Sequence, residues 1–158
     1  MTGVAAGRRQ ATRTTPPRWL TVAAPLLCLA GLAVATYLTI AHFDTQVRLV
    51  CSDTGFVNCA AVTTSAQSKI IGIPVALLGL LYFLTIAPLH LPAAWASQDP
   101  RIRIGRLVAA GAGIAFVLYL VYTELFTLDQ LCIWCTVVHV VTFALFVVTL
   151  LGTSETAR

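Results

Sequence analysis

The amino-acid sequence predicts an all-α membrane protein built as a four-transmembrane-helix bundle, and three observations carry that prediction. Hydrophobic residues make up 58% of the 158, charged residues only 10%, and the mean hydropathy is +0.88. Four long apolar stretches follow one another along the chain. Basic residues crowd into the segments on one side of those stretches. A soluble domain of this length has too much surface for its core to hide so many apolar side chains, so lipid is the natural solvent.

The four stretches run over residues 20–41, 70–89, 107–125 and 131–151. Each matches the roughly 20 residues that an α-helix needs to cross the hydrocarbon layer. None carries Lys, Arg, Asp or Glu near its centre, where one would cost about 2.5–3.5 kcal/mol. Glu124 falls at the end of the third stretch, where its carboxylate is expected to reach the interface. The first stretch is longer than a signal-peptide core and lacks an A-x-A cleavage site, so it reads as a retained helix. Residues 1–18, with Arg8, Arg9, Arg13 and Arg18 among small and polar residues, read as a disordered cytoplasmic arm. Residues 19–152 form the expected membrane domain, and 153–158 a cytoplasmic tail.

Finer features fit the same scheme. Pro74 falls in the first turn of the second helix, where a missing N–H is tolerated. Gly105, Gly111 and Gly113 are expected to permit close helix contact. Trp19, Trp95 and Trp134 lie near membrane boundaries, as aromatic belts do, and His42 and His90 sit at helix ends as interfacial residues. Residues 91–100 read as a short inner loop.

Orientation follows from the basic residues. Arg8, Arg9, Arg13 and Arg18 precede the first helix, Arg101, Arg103 and Arg106 separate the second from the third, and Arg158 ends the chain. Only Arg48 and Lys69 fall on the other side. The positive-inside rule therefore places both termini in the cytoplasm and the 42–69 and 126–130 segments outside. Topology alone accounts for the net charge of +4, so no nucleic acid is implied.

Four of the five cysteines then share the outer side. Cys51 and Cys59 lie in the long outer loop; Cys132 and Cys135 form a C-x-x-C at the head of the last helix. Cys28 lies inside the first helix and reads as a small buried hydrophobe. Disulfides form and persist outside the cytoplasm. One pair on a loop and another on a helix make a two-step path for electrons. With Asp129 or Gln130 capping the last helix, Cys132 sits in its first turn, where free N–H groups and the helix dipole favour a thiolate. Cys132 is thus the candidate nucleophile, and Cys135, one turn deeper, faces the membrane core. A zinc site shared by the four cysteines is compatible with the spacing, although such sites usually occupy short soluble knuckles. Purely structural disulfides are the other alternative, in a bundle with little need of staples.

Taken together, the spacing of Cys51 and Cys59, Ser65 six residues further on, the Cys132–Ile133–Trp134–Cys135 motif and the Ile71–Gly72–Ile73–Pro74–Val75–Ala76–Leu77–Leu78–Gly79 segment resemble the vitamin K epoxide reductase family. The resemblance covers the chain after residue 18. It implies a bundle around a quinone (menaquinone or ubiquinone) capped by the outer loop, with Cys132 and Cys135 beside the quinone. Cys51 and Cys59 are then the shuttle pair, Cys59 exchanging with Cys132 and Cys51 meeting a thiol partner. Ser65 is implied near the quinone head group. Many bacterial members continue into a thioredoxin-like domain, whereas this sequence stops at Arg158, so the expected partner is a separate DsbA-like thioredoxin-fold protein. The animal enzymes carry a tyrosine where this chain has His139, one turn below Cys135 and on the same face, suited to bond a quinone oxygen or relay protons.

The expected activity is quinone-dependent thiol–disulfide oxidation in the cell (plasma or inner) membrane, driving disulfide formation in secreted proteins. Reduction of vitamin K epoxide in an ER membrane is the alternative within the family, and a non-enzymatic subunit with structural cysteines is the alternative outside it. DsbB-type oxidases also pair four helices with two cysteine pairs, but carry the C-x-x-C in the first outer loop, the reverse of the order here.

Overall fold

The computed structural model describes residues 17–44, 46–51 and 55–156. Most of the arm expected over residues 1–18 and the last two residues of the tail lie outside them. Three helices are long and apolar enough to cross a membrane: α1 (Arg18–Phe43), α5 (Pro100–Tyr122, continued by a π-helical segment Thr123–Leu128) and α6 (Ile133–Thr156). A shorter apolar helix, α3 (Val75–Ile86), runs on as a 3-10 turn Ala87–His90. Two small helices complete the chain, α2 (Cys59–Thr64) near the cysteines and α4 (Pro92–Ala96) in the stretch expected to be a loop.

Large apolar side chains on the outside, among them Leu26, Val108, Leu118, Val140 and Phe143, are more than half exposed. Apolar surface so widely spread has its partner in lipid. Threonine hydroxyls inside the helices are satisfied locally, as a spanning segment requires. Thr36, Thr39, Thr142 and Thr149 each donate to the carbonyl four residues earlier. The chain is a multi-pass membrane protein.

One stripe of α1 organises the core. Leu20, Ala24, Cys28, Gly31, Ala35 and Leu38 recur every three or four residues and are buried, against α3 on one side and α6 on the other. Small side chains there let neighbouring backbones approach. Gly31 takes the fully buried Phe83 ring of α3, and Gly113 of α5 takes the Tyr82 ring. Gly105 and Gly111 face open space, so of the three glycines expected to serve contact only Gly113 does.

Other expectations shift for identifiable reasons. The second apolar stretch does not start as helix at residue 70. Lys69–Ile70 and Ile73–Pro74 pair as a minimal antiparallel hairpin, β1 and β2, with Ile71 and Gly72 at positive φ in its turn. Ile73 precedes a proline and is driven to extended backbone, so α3 begins only after Pro74, which is its N-cap rather than a first-turn residue. Conversely α5 starts seven residues before the apolar stretch. The Asp99 carboxylate accepts from the Arg101 N–H at 2.8 Å, and Pro100 occupies the first helical position.

His90 and Trp95 are not interfacial; both are buried at the end of the bundle away from the cysteines. His90 bridges Ile86 O at 3.1 Å and Thr149 Oγ1 at 2.8 Å. The buried Arg106 donates to Leu89 O and Ala94 O and lies 3.5 Å over the Trp95 ring. This cation–π clamp ties α4 to α5.

A Cβ at Gly31 overlaps the immobile Phe83 ring, so Gly31→Ala is expected to destabilise the protein by about 1–3 kcal/mol. Gly111→Ala meets nothing and is expected to be neutral or to stabilise by up to about 1 kcal/mol. Thermal unfolding of both variants in one detergent checks the contrast.

Candidate redox site

The loop and the last helix are joined by a very short piece of parallel pairing. Val57 bridges Leu131; the Asn58 N–H donates to Leu131 O at 2.9 Å and the Leu131 N–H to Phe56 O at 2.8 Å. Asn58 then caps α2, its side chain accepting from the Ala61 N–H. Cys59 therefore opens α2 just as Cys132 precedes α6, and the two are buried in one cluster with Val62. Cys51, Cys135, Leu128 and Trp134 pack around it.

Cys51 and Cys59 form a disulfide, with Cα atoms 6.1 Å apart. The backbone before Cys51 is clamped from both sides. The Val50 N–H donates to the Tyr37 hydroxyl, Trp134 Nε1–H donates to Val50 O at 3.0 Å, and the Tyr37 and Trp134 rings meet edge to face at 5.0 Å.

Cys132 and Cys135 are thiols with their sulfurs 2.6 Å apart. The expected cap at Asp129 or Gln130 is not the one observed. Asp129 sits at φ 51° and ends the π-helical segment, its N–H bonded to Glu124 O. Cys132 itself occupies the capping position: its carbonyl accepts from Thr136 and its sulfur from the Cys135 N–H at 3.3 Å. The hydrogen bond from the Cys135 thiol, aided by backbone N–H groups, holds the Cys132 thiol below its ordinary range against the opposing effect of burial. Cys132 is the more readily ionised thiol of the pair.

Beneath the cysteines a cavity of about 330 Å³ opens between the helices. Its walls are mostly aliphatic and aromatic, and its polar lining includes His42, Ser65, Tyr82, Glu124 and His139. Cys135 lines it. A residues 22–150 match to the model of the vitamin K epoxide reductase family spans most of the chain.

The protein belongs to the vitamin K epoxide reductase family. Members are membrane-bound redox enzymes, and in this chain Cys51 and Cys59 are joined as a disulfide.

Cys51, Cys59, Cys132 and Cys135 come together in one cluster, while Cys28 lies apart in the α1 stripe. Ser65 reaches the cavity, but its hydroxyl donates to Val62 O at 2.8 Å and accepts from the Ser68 N–H, joining α2 to the following 3-10 turn. His139 is buried on the cavity wall and makes no hydrogen bond among the described residues. Two residues were missed. The Tyr82 hydroxyl is buried at the cavity without a partner. Glu124 was expected at the interface, yet it is only 4% exposed, because it continues the cavity-lining face of Gly113, Val117 and Leu120. The available signal was the carboxylate itself, since an ionisable group at the end of an apolar helix is a functional candidate by default.

Removing the Cys135 thiol removes the main support of the Cys132 thiolate. In Cys135→Ala the pH midpoint for alkylation of reduced Cys132 is expected to move upward; an unmoved midpoint contradicts the assignment. Trp134→Phe deletes one hydrogen bond to the loop, worth about 1 kcal/mol, so reduction of Cys51–Cys59 by a small thiol is expected to run about fivefold faster.

Proposed function

We propose that the protein is a quinone-linked thiol–disulfide oxidoreductase of the cell membrane that reoxidises a DsbA-like thioredoxin-fold partner. The observation that carries this reading is the partition of the cysteines. Two pairs share one buried cluster, one of them held on a loop, and Cys135 of the other opens onto an apolar cavity. Such an arrangement suits a relay from a soluble thiol to a lipid-soluble acceptor.

The proposed topology has four spans, with α3 and its 3-10 extension as the short second one. Both termini are cytoplasmic and the cysteines face outward. The arginine distribution supports it, and so does the burial of Arg106 at the end opposite the cysteines.

A quinone head group fits the cavity: its walls are apolar, and His139 and Tyr82 hold polar groups there with no protein partner among the described residues. Quinone, whether menaquinone or ubiquinone, supplies a two-electron acceptor that takes up two protons. Ser65 and His139 would orient it, His139 through a ring nitrogen.

The steps on the protein's own residues balance as follows. A partner thiolate attacks Cys51, a mixed disulfide forms, and the partner leaves oxidised with Cys51 and Cys59 as thiols. Cys59 attacks Cys132 of the Cys132–Cys135 disulfide, and Cys51 then displaces Cys132 to reform Cys51–Cys59. The two electrons now rest on Cys132 and Cys135. Cys51–Cys59 joined and Cys132 and Cys135 reduced is the arrangement described above. Closing the Cys132–Cys135 bond releases the electrons to the acceptor. The direction is favoured when the acceptor's potential is the higher, about 1.4 kcal/mol for each 30 mV.

The test is quinone reduction by the purified protein fed with a reduced DsbA-like protein. Cys132→Ala and Cys135→Ala are expected to abolish turnover. Cys51→Ala and Cys59→Ala are expected to lose it with the protein partner yet keep it with dithiothreitol, which reaches the C-x-x-C directly. Absence of turnover with both benzoquinone and naphthoquinone acceptors, and cysteine pairs that stay unchanged when they are added, would return the cysteines to a structural role.

A further inference from the structure

The redox relay leaves one buried group unused. Glu124 is 4% exposed, lines the same cavity as Cys135, and belongs to the π-helical segment that ends just before the C-x-x-C. Its carboxylate interacts with the backbone N–H of Cys132 and lies close enough to both thiols to act on them electrostatically. No Lys or Arg pairs with it among the described residues. The titratable groups that share its surroundings are Cys132, Cys135 and His139 of α6, Tyr82 of α3 and His42 of α1. A carboxylate buried without a cation is costly to keep, so its retention beside two thiols calls for a role. The local backbone points the same way. A π-helical turn adds a residue to the helical repeat and tends to mark functional positions. Here it holds Glu124, which continues the cavity-lining face of Gly113, Val117 and Leu120.

We infer that Glu124 is the base that accepts the Cys135 thiol proton when the Cys132–Cys135 disulfide closes, and passes it toward the reduced acceptor in the cavity. The inference rests on the quinone-linked reading above. Cys132 is the more readily ionised of the two, and Cys135 is the sulfur that faces the cavity with Glu124, so the proton Glu124 would take is that of Cys135. The Cys135 S–H bond breaks, the S–S bond forms and two electrons leave for the quinone. Glu124 takes the proton and gives it up to a quinone oxygen, returning to carboxylate. The second proton reaches the other quinone oxygen from solvent, since Cys132 gave its own up on becoming a thiolate. His139 and Tyr82 border the same space, but of the three only Glu124 acts electrostatically on both thiols.

Glu124→Gln keeps the shape and the acceptor for the Cys132 N–H while removing the base. Two readouts apply to the prereduced, purified protein. In single-turnover reduction of a water-soluble naphthoquinone, the Gln variant is expected to be slower by about 100-fold near neutral pH, with the deficit shrinking as pH rises and Cys135 ionises unaided. Glu124→Asp, which keeps the carboxylate, is expected to retain most of the rate. Without any quinone, loss of the neighbouring negative charge is expected to move the pH midpoint of Cys132 alkylation downward in the Gln variant. A Gln variant that matches wild type in rate and pH profile, or an Asp variant as slow as Gln, overturns the inference. Wild-type single turnover, which needs no variant, is expected to slow in D2O, and an unchanged rate overturns it as well. Failure of wild type to reduce any quinone sinks the proposed function and this inference with it, whereas turnover indifferent to Glu124 sinks the inference alone.

Discussion

Everything at the redox end depends on two hydrogen bonds that tie the loop to the head of α6, Asn58 N–H to Leu131 O and Leu131 N–H to Phe56 O. A loop of this length has many ways to lie over a bundle, and fixing one of them costs conformational entropy. The Val57–Leu131 bridge fixes it at the one place where both cysteine pairs are a residue or two away. Cys59 and Cys132 then enter the same buried cluster as a matter of register. The Tyr37–Trp134 clamp acts on the other side of the disulfide, holding Val50 and hence Cys51. The loop is thus pinned on both flanks of the pair it carries.

Below that level the bundle is arranged to leave room. α1 packs closely on α3 and α6 through small residues, and Phe83 fills the notch at Gly31. α3 and α5 approach each other mainly where Tyr82 meets Gly113. The space left between them and α6 is the cavity that Cys135 and His139 line. At the opposite end the buried Arg106 and His90 close the structure with hydrogen bonds to backbone carbonyls and to Thr149, with the Trp95 ring packed against Arg106.

Much of this was legible in the sequence, and the rest was hidden for physical reasons. Long apolar runs announced α1, α5 and α6, because a membrane imposes a length that few other contexts require. Helix ends were less legible. The start of α3 depends on what Pro74 does to Ile73, and the start of α5 on a cap at Asp99, both local effects that hydropathy does not register. The cysteine order singled out the candidate site residues, since only cysteine carries a thiol. Glu124 escaped because a carboxylate at the end of an apolar run reads as interfacial until the elements that cover it are known. His90 and Trp95 escaped because polar residues at a helix end look interfacial until a folded inner segment covers them.

The sulfur of Cys132 serves two offices in the proposed relay, since it receives the Cys135 N–H at the start of α6 and is the atom that would exchange bonds. As a thiolate it is a charged acceptor; joined to another sulfur it is a much weaker one. The first turn of the last helix is therefore firmest when the pair is reduced and loosens with each oxidation. The oxidation state of the protein is written into the hydrogen bonding of a single backbone amide, which makes the Cys135 N–H a spectroscopic gauge of where the electrons are.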